Sequence, residues 1–268
     1  MAPIVKVLQG DTHFESKVCV TAQHRAMLDQ VLELFQIQPD FDLDIMTQGQ
    51  DLTDVTIKIL SGLKEKCRIW KPDIILVHGD TSTTLSASLA AFYHKIPVGH
   101  VEAGLRTGDI SSPWPEEANR KITSVLTDWN FAPTNSAREN LVREMYPLEN
   151  IFVTGNTVID ALLDVSSKID INTEMRANLE KEHSYLDPEK RIVLVTSHRR
   201  ENFGGGIAEI CVAIKRLVNK YSDIQVVFPV HPNPNVSVPV KEMLGDIAAV
   251  SLIEPQEYLN FVYLMKRS

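Results

Sequence analysis

The segment KPDIILVHGDTSTTLSASLAAFYHKIPVGHVEAGLRTGDISSPWPEEANR, residues 71–120, decides the fold. Two apolar runs, 74–77 and 96–101, each end in a short polar loop of Gly, Asp, Glu and His. The stretch between them, 83–94, has helical composition. Strand, helix, strand in that order predicts a parallel pair joined by a right-handed crossover. Ligands of parallel sheets bind beyond the carboxyl ends of the strands. Asp80, Glu102 and Glu116 stand just past two such ends, so the chemistry is expected here.

Working toward the amino terminus, residues 52–66 read as a helix, 40–50 as a loop holding a short strand, and 25–35 as an amphipathic helix. KVCVT, 17–21, reads as a strand, and 1–9 as a helix with Pro3 near its first turn. In the other direction, Ser112-Pro113-Trp114-Pro115 signals the start of a helix over 116–129. A short strand at 130–132 precedes a helix over 134–144, with Asn135 and Ser136 as capping candidates. The strand at 151–153 runs into Gly155-Asn156, after which the composition changes. Residues 158–182 read as one increasingly charged helix, suited to link two domains. Beyond it, strands at 191–196, 224–230 and 249–253 alternate with helices over 207–221, 238–244 and 258–266. The class is therefore α/β, with an N-terminal domain over 1–156 and a C-terminal domain over 157–268. Doubly wound domains open on a strand and its glycine-rich turn, whereas this chain opens on a helix. Its last sheet has only three candidate strands, which predicts a piece of a longer two-domain protein.

Composition excludes several classes. The 268 residues are 44% hydrophobic, ample for packed cores, and the formal charge is −8 with no basic run. Nucleic acid and anionic membranes are therefore not expected partners. Cys19, Cys67 and Cys211 are too widely spaced for a disulfide framework or a zinc site, which fits a reducing cytosol. No apolar run is long enough to span a bilayer. No metal and no cofactor are expected, because no motif fixes a metal geometry or a phosphate-binding lysine loop.

Each candidate residue has a plainer reading beside the chemical one. Asp80 ends a strand as a general base would, yet an Asp there also caps helices. Glu102 sits among small residues that admit a ligand, yet it could simply pair with Arg106. Glu116 and Glu117 open a helix, where the dipole favours acids whatever the function. Arg120 lies one turn beyond Glu116, within reach of a surface pair. Ser197-His198-Arg199-Arg200-Glu201-Asn202 stands at a strand end before three glycines. Two arginines, a histidine and exposed backbone N–H groups suit a phosphate; the plain alternative is a solvated turn with Asn202 as a cap. His231 reads equally well as a ligand contact or as part of a rigid loop.

Taken together, seven strings resemble the bacterial non-hydrolysing UDP-N-acetylglucosamine 2-epimerases. They are VTAQHR (20–25), LVHGDTSTTLSASLAAFYHKIPVGHVEAGLRTGD (76–109), SPWPEEANR (112–120), VTGNTVIDALL (153–163), TSHRREN (196–202), PVHPNPNV (229–236) and PQEYLNFVYLM (255–265). The resemblance implies a glycosyltransferase-B-like architecture of two Rossmann-like doubly wound domains with the active site between them. It implies interconversion of UDP-N-acetylglucosamine and UDP-N-acetylmannosamine by elimination and re-addition of UDP, in a homodimer that serves surface polysaccharide synthesis in the cytoplasm. By motif match, Asp80, Glu102 and Glu116 are the acid/base carboxylates, and His198 contacts the phosphates and matters for catalysis. Gln256 and Phe261 fall where the family holds uridine, and Arg120 joins the substrate-binding candidates. Gln23, His24 and the loop 48–50 match the neighbourhood of a regulatory substrate site.

The family's opening strand with its Gly-Thr-Arg-Pro-Glu loop, and a later Asp-Ser-Gly-Gly segment, have no counterpart in residues 1–268. The chain is thus expected to be truncated at both ends, with little or no turnover of its own. An inactive fragment or pseudogene product is the alternative to an epimerase. A hydrolysing epimerase or a glycosyltransferase of the same architecture fits HVEAGLRTGD and SPWPEEANR less well.

Overall fold

The computed structural model describes residues 1–23, 25–197 and 205–268. The chain divides into two compact units, Met1–Ala161 and Leu162–Ser268. The anticipated boundary at 156 precedes a helix, α7 (Thr157–Ile171); the division falls inside that helix.

Unit one runs α1 (Ala2–Gly10), β1 (Cys19–Val20), α2 (Arg25–Phe35), β2 (Phe41–Asp42), α3 (Leu52–Ile69), β3 (Ile75–His78), α4 (Ser82–Tyr93) and β4 (Val98–Val101). It continues through α5 (Glu116–Val125), β5 (Trp129–Ala132), α6 (Asn135–Arg143) and β6 (Ile151–Val153) into the start of α7. Strands β3 to β6 form a parallel sheet in chain order, and β1 pairs with β2 in a separate parallel ladder. The strand–helix–strand unit expected from 71–120 is present: Ile75 is in register with Val98 and His78 with Val101, with α4 between the strands.

The local reasons are visible in the side chains. Asp51 caps α3 in a reciprocal capping box with Asp54, and Val55, Ile59, Leu63 and Cys67 form one buried face. Each such side chain contributes roughly 1.5–3 kcal/mol when fully buried. Helix α4 buries Ser86, Ser88, Ala90 and Ala91, small residues that let its neighbours approach. Strand β4 is interior and buried at all four positions, including His100.

Unit two contains the rest of α7, α8 (Thr173–Glu182), β7 (Arg191–Leu194), α9 (Gly205–Lys220), β8 (Ile224–Pro229), α10 (Pro234–Leu244), β9 (Val250–Ile253) and α11 (Tyr258–Arg267). Its three strands are parallel in chain order, with β8 in the middle. Phe228, Val226 and Ile224 of β8 pack with Ile207 and Cys211 of α9 and with Val236, Val240 and Leu244 of α10.

Three expectations are corrected. The single helix over 158–182 is two, because Asn172 leaves the helical path and its side chain accepts from Met175 N–H to cap α8. Helix α6 is capped by Thr134, whose hydroxyl accepts from Ala137 N–H, rather than by Asn135 or Ser136. Helix α10 begins at Pro234, before the expected residue 238, because Asn233 caps it and proline fits a first turn.

Candidate active site

The site begins where β3 and β4 end. Asp80 follows the turn at Gly79, whose φ of +72° is a conformation glycine adopts without strain. Glu102 follows β4 with a φ of +66°, a left-handed conformation that costs a side-chain-bearing residue energy. That geometry turns its carboxylate toward α5. There Arg120, 4% exposed, takes both acids. Its Nη2 donates to Asp80 Oδ2 at 2.6 Å and to Glu102 Oε1 at 3.1 Å, while Nη1 donates to the Glu102 carbonyl. Asn156 Nδ2 donates to the other Glu102 oxygen at 3.0 Å.

The plainer readings of these residues are mostly displaced. Asp80 is not the cap of α4; Thr81 is, accepting from Thr84 N–H. Glu102 does not pair with Arg106. Arg106 instead forks onto Glu144 through Nε and Nη2, at 2.9 and 2.8 Å, and also donates to Ser124. Arg120 does not form a surface pair with Glu116. Glu116, one turn earlier on α5, has a buried Oε2 without a hydrogen-bond partner among the described residues. Glu117, only 3% exposed, accepts from the backbone N–H of Thr107 at 3.1 Å and Gly108 at 3.3 Å, tying the loop after β4 to α5.

Electrostatics follow from this arrangement. Burial alone raises the Glu102 pKa; hydrogen bonds from Asn156 and Arg120, with the charges of His78 and Arg120, outweigh it and leave the group below the ordinary carboxylate value. His78 is pushed down, first by burial. His100 is fully buried and pushed down to about 4 by burial, against the raising effect of its bond to the Gly79 carbonyl. His100 is therefore neutral at pH 7.

Sequence reasoning singled out Asp80, Glu102 and Glu116 but not Asn119 and Asn156 as partners of the first two, nor Glu117 as a tie to the loop after β4. Asn119 falls inside SPWPEEANR, and its spacing from Glu116 was the available signal. His198 lies outside the described residues, as do Arg199, Arg200, Glu201, Asn202 and His24. In unit two, Gln256 precedes α11 and donates to the Glu254 carbonyl, and Phe261 is half-buried on that helix. Among the described residues no group of three His, Cys, Asp or Glu side chains is arranged to hold a metal ion. No described helix is long and apolar enough to cross a membrane.

Parallel α/β units with carboxylates gathered at strand ends by a buried guanidinium are of the Rossmann-like class, whose members take ligands at their strand termini. A family model described as UDP-N-acetylglucosamine 2-epimerase matches residues 6–268. The chain is 60% identical over 268 residues to a UDP-N-acetylglucosamine 2-epimerase of Yersinia pestis, covering 100% of itself and 71% of that protein. It superposes with a TM-score of 0.93 and 52% identity on the Neisseria meningitidis enzyme bound to UDP-GlcNAc, covering 72% of that chain. A Methanocaldococcus jannaschii UDP-GlcNAc 2-epimerase, solved with UDP-GlcNAc and UDP, is matched at TM-score 0.80 and 31% identity over 99% of this chain and 72% of that one. The chain belongs to the UDP-N-acetylglucosamine 2-epimerase family, isomerases of the glycosyltransferase-B type of α/β fold.

Proposed function

We propose that the protein interconverts UDP-N-acetylglucosamine and UDP-N-acetylmannosamine by elimination and re-addition of UDP. The observation that carries this reading is the Asp80–Arg120–Glu102 cluster at the ends of two adjacent parallel strands. A C2 hydrogen beside a sugar carbon is a weak acid, so a positioned carboxylate takes it as the C1–O bond breaks. The C2 electron pair becomes the C1–C2 double bond, and the C1–O pair leaves with the UDP phosphate. In the return step UDP oxygen adds to C1 and C2 receives a proton on the opposite face. Inverting one carbon thus needs acid/base groups serving two faces, a role for more than one of Asp80, Glu102 and Glu116. The reaction is redox-neutral and requires no cofactor.

Within this reading Glu102 enters ionised, since its hydrogen bonds hold it below the ordinary carboxylate pKa. Arg120 fixes the carboxylates and lends positive charge to the substrate pocket. His198 is assigned to the diphosphate, and Gln256 and Phe261 to the uridine, on their motif matches. A cytoplasmic homodimer supplying N-acetylmannosamine units for surface polysaccharide completes the proposal.

Incubation with UDP-N-acetylglucosamine in D2O tests it. The manno epimer should appear, with deuterium incorporated at C2 of both sugars; the inactive-fragment alternative, with little or no turnover, predicts neither. Absence of both the epimer and C2 exchange refutes the reading.

A further inference from the structure

The turn that carries Asp80 has an unusual hydrogen-bond pattern. Its three consecutive carbonyls, those of His78, Gly79 and Asp80, each accept from a side chain, and the three donors come from three different elements. Thr84 Oγ1 of α4 donates to His78 O at 2.5 Å. His100 Nε2 of β4 contacts Gly79 O at 2.7 Å, which requires the tautomer protonated at Nε2. Asn119 Nδ2 of α5 donates to Asp80 O at 2.9 Å. All three donors are buried: Thr84 is 3%, His100 0% and Asn119 6% exposed. The Gly79 N–H is taken by Val101 O at 3.0 Å, so the turn is held from both sides of its backbone.

We infer that Thr84, His100 and Asn119 are positioning residues for the epimerisation, locking the His78-Gly79-Asp80 turn so that the Asp80 carboxylate is aimed before substrate arrives. The inference rests on the epimerase reading. The general reason is that a reacting group must sit within a fraction of an ångström of its target, and a side chain on a turn is only as well placed as the turn. Strand pairing alone does not fix this turn, because the β3–β4 ladder ends at His78 and Val101. Side chains from α4, β4 and α5 replace the missing ladder. They also satisfy carbonyl acceptors whose loss of a partner costs free energy.

His100 has the most constrained part. Its other ring nitrogen, Nδ1, is buried without a hydrogen-bond partner among the described residues, so nothing stabilises a second proton there. Arg120 and Arg106 both oppose its protonation, and burial does so more strongly. The ring is a neutral, single-tautomer donor at any pH at which the enzyme would work, rather than a proton carrier. Gly79 sits with its Cα hydrogen facing Glu102 Oε1, so movement of the turn would disturb both acids.

Three variants and two readouts test this. His100→Leu removes the donor at similar volume, and His100→Gln restores an N–H that reaches the same carbonyl. Thr84→Val removes the hydroxyl from a matched shape. His100→Leu should lose about 10- to 100-fold in kcat for UDP-N-acetylglucosamine with KM within about threefold of wild type. His100→Gln should recover most of the loss, and Thr84→Val should lose about fivefold or more in kcat. Thermal unfolding is measured alongside. A residue with a merely structural role would lower Tm without that kcat split or the Gln rescue. Wild-type kcat in a folded His100→Leu, or no rescue by His100→Gln at equal Tm, overturns the inference. If His100→Leu fails to fold, unchanged kcat in Thr84→Val overturns it and reduced kcat at unchanged Tm supports it. A wild-type protein that neither epimerises nor exchanges C2 overturns the epimerase reading and this inference with it; a wild type that turns over alongside unaffected variants overturns this inference alone.

Discussion

Replacing Arg120 with methionine is the sharpest perturbation the structure offers. The side chain keeps its bulk but loses its charge and donors. Asp80 Oδ2 and Glu102 Oε1 both lie on one nitrogen, at 2.6 and 3.1 Å, so without it two negative charges face each other with nothing between. At a separation of roughly 5 Å, and an effective dielectric between that of a protein surface and water, their repulsion is about 1–3 kcal/mol. The Glu102 carbonyl also loses its guanidinium donor, worth about 1–2 kcal/mol. Severing a fully buried ion pair costs about 3–5 kcal/mol, but the Asp80 and Glu102 side chains remain 31% and 18% exposed, so water repairs part of the loss. The expected destabilisation of unit one is about 2–4 kcal/mol at pH 7. Trp70, Trp114 and Trp129 all lie in unit one, so urea unfolding followed by tryptophan fluorescence reads it directly.

The sign with pH is a second check. In the wild type, Glu102 is depressed below its ordinary value of 4.5. Its contribution to stability is present above that value and is lost as pH falls through the folded one. In Arg120→Met the two carboxylates repel near neutrality, and that repulsion disappears as Glu102 protonates. The gap between the two proteins should therefore be widest near pH 7 and narrow below pH 4. A gap under about 0.5 kcal/mol at pH 7, or one that widens in acid, refutes the reasoning. Arg120→Lys should rescue little, because one ammonium cannot serve two carboxylates and a carbonyl in the fork geometry.

The other expectations concern neighbouring groups. His100, pushed down from 6.5 to about 4, stays neutral in the fold while the unfolded chain protonates, so stability should fall by about 3 kcal/mol between pH 6.5 and pH 4 and His100→Gln should flatten that slope in pH-dependent urea titrations. Glu117→Gln replaces one acceptor oxygen with an amino group facing Thr107 or Gly108 N–H; hydrogen exchange of those two amides should accelerate and stability should drop by about 1–3 kcal/mol. Gly104→Ala places a methyl 2.3 Å from the Ala137 carbonyl oxygen at a φ of +84°, so thermal unfolding should show a loss of more than about 2 kcal/mol; wild-type Tm would contradict the packing of α6 against the loop after β4.

Legibility from sequence followed the range of the interaction. The elements from β3 to β4 were readable because a strand's apolar run and a helix's composition are local, and parallel pairing follows from the crossover length. Asp80 and Glu102 stood out as candidates because strand ends are where such folds place chemistry. Partner choice was not. Arg106 is four residues from Glu102 and was the nearer candidate, yet the chain bends at Glu102 and sends Arg106 to Glu144, while Arg120 arrives from α5. The break at Asn172 was equally hidden, since a helical pattern on both sides outweighs one residue that can cap.

Residue pattern by itself therefore determined the alternating α/β class, the two-part organisation of the reading and the acids worth watching. It did so because hydrophobic periodicity and short motifs are written along one dimension. The folded chain alone decided which cation holds Asp80 and Glu102, which buried donors seize the carbonyls of the turn at Gly79, and why His100 is neutral. Apart from the Thr84 bond, six positions from its acceptor, those outcomes depend on contacts between residues about twenty to forty positions apart, and on the burial that only packing creates.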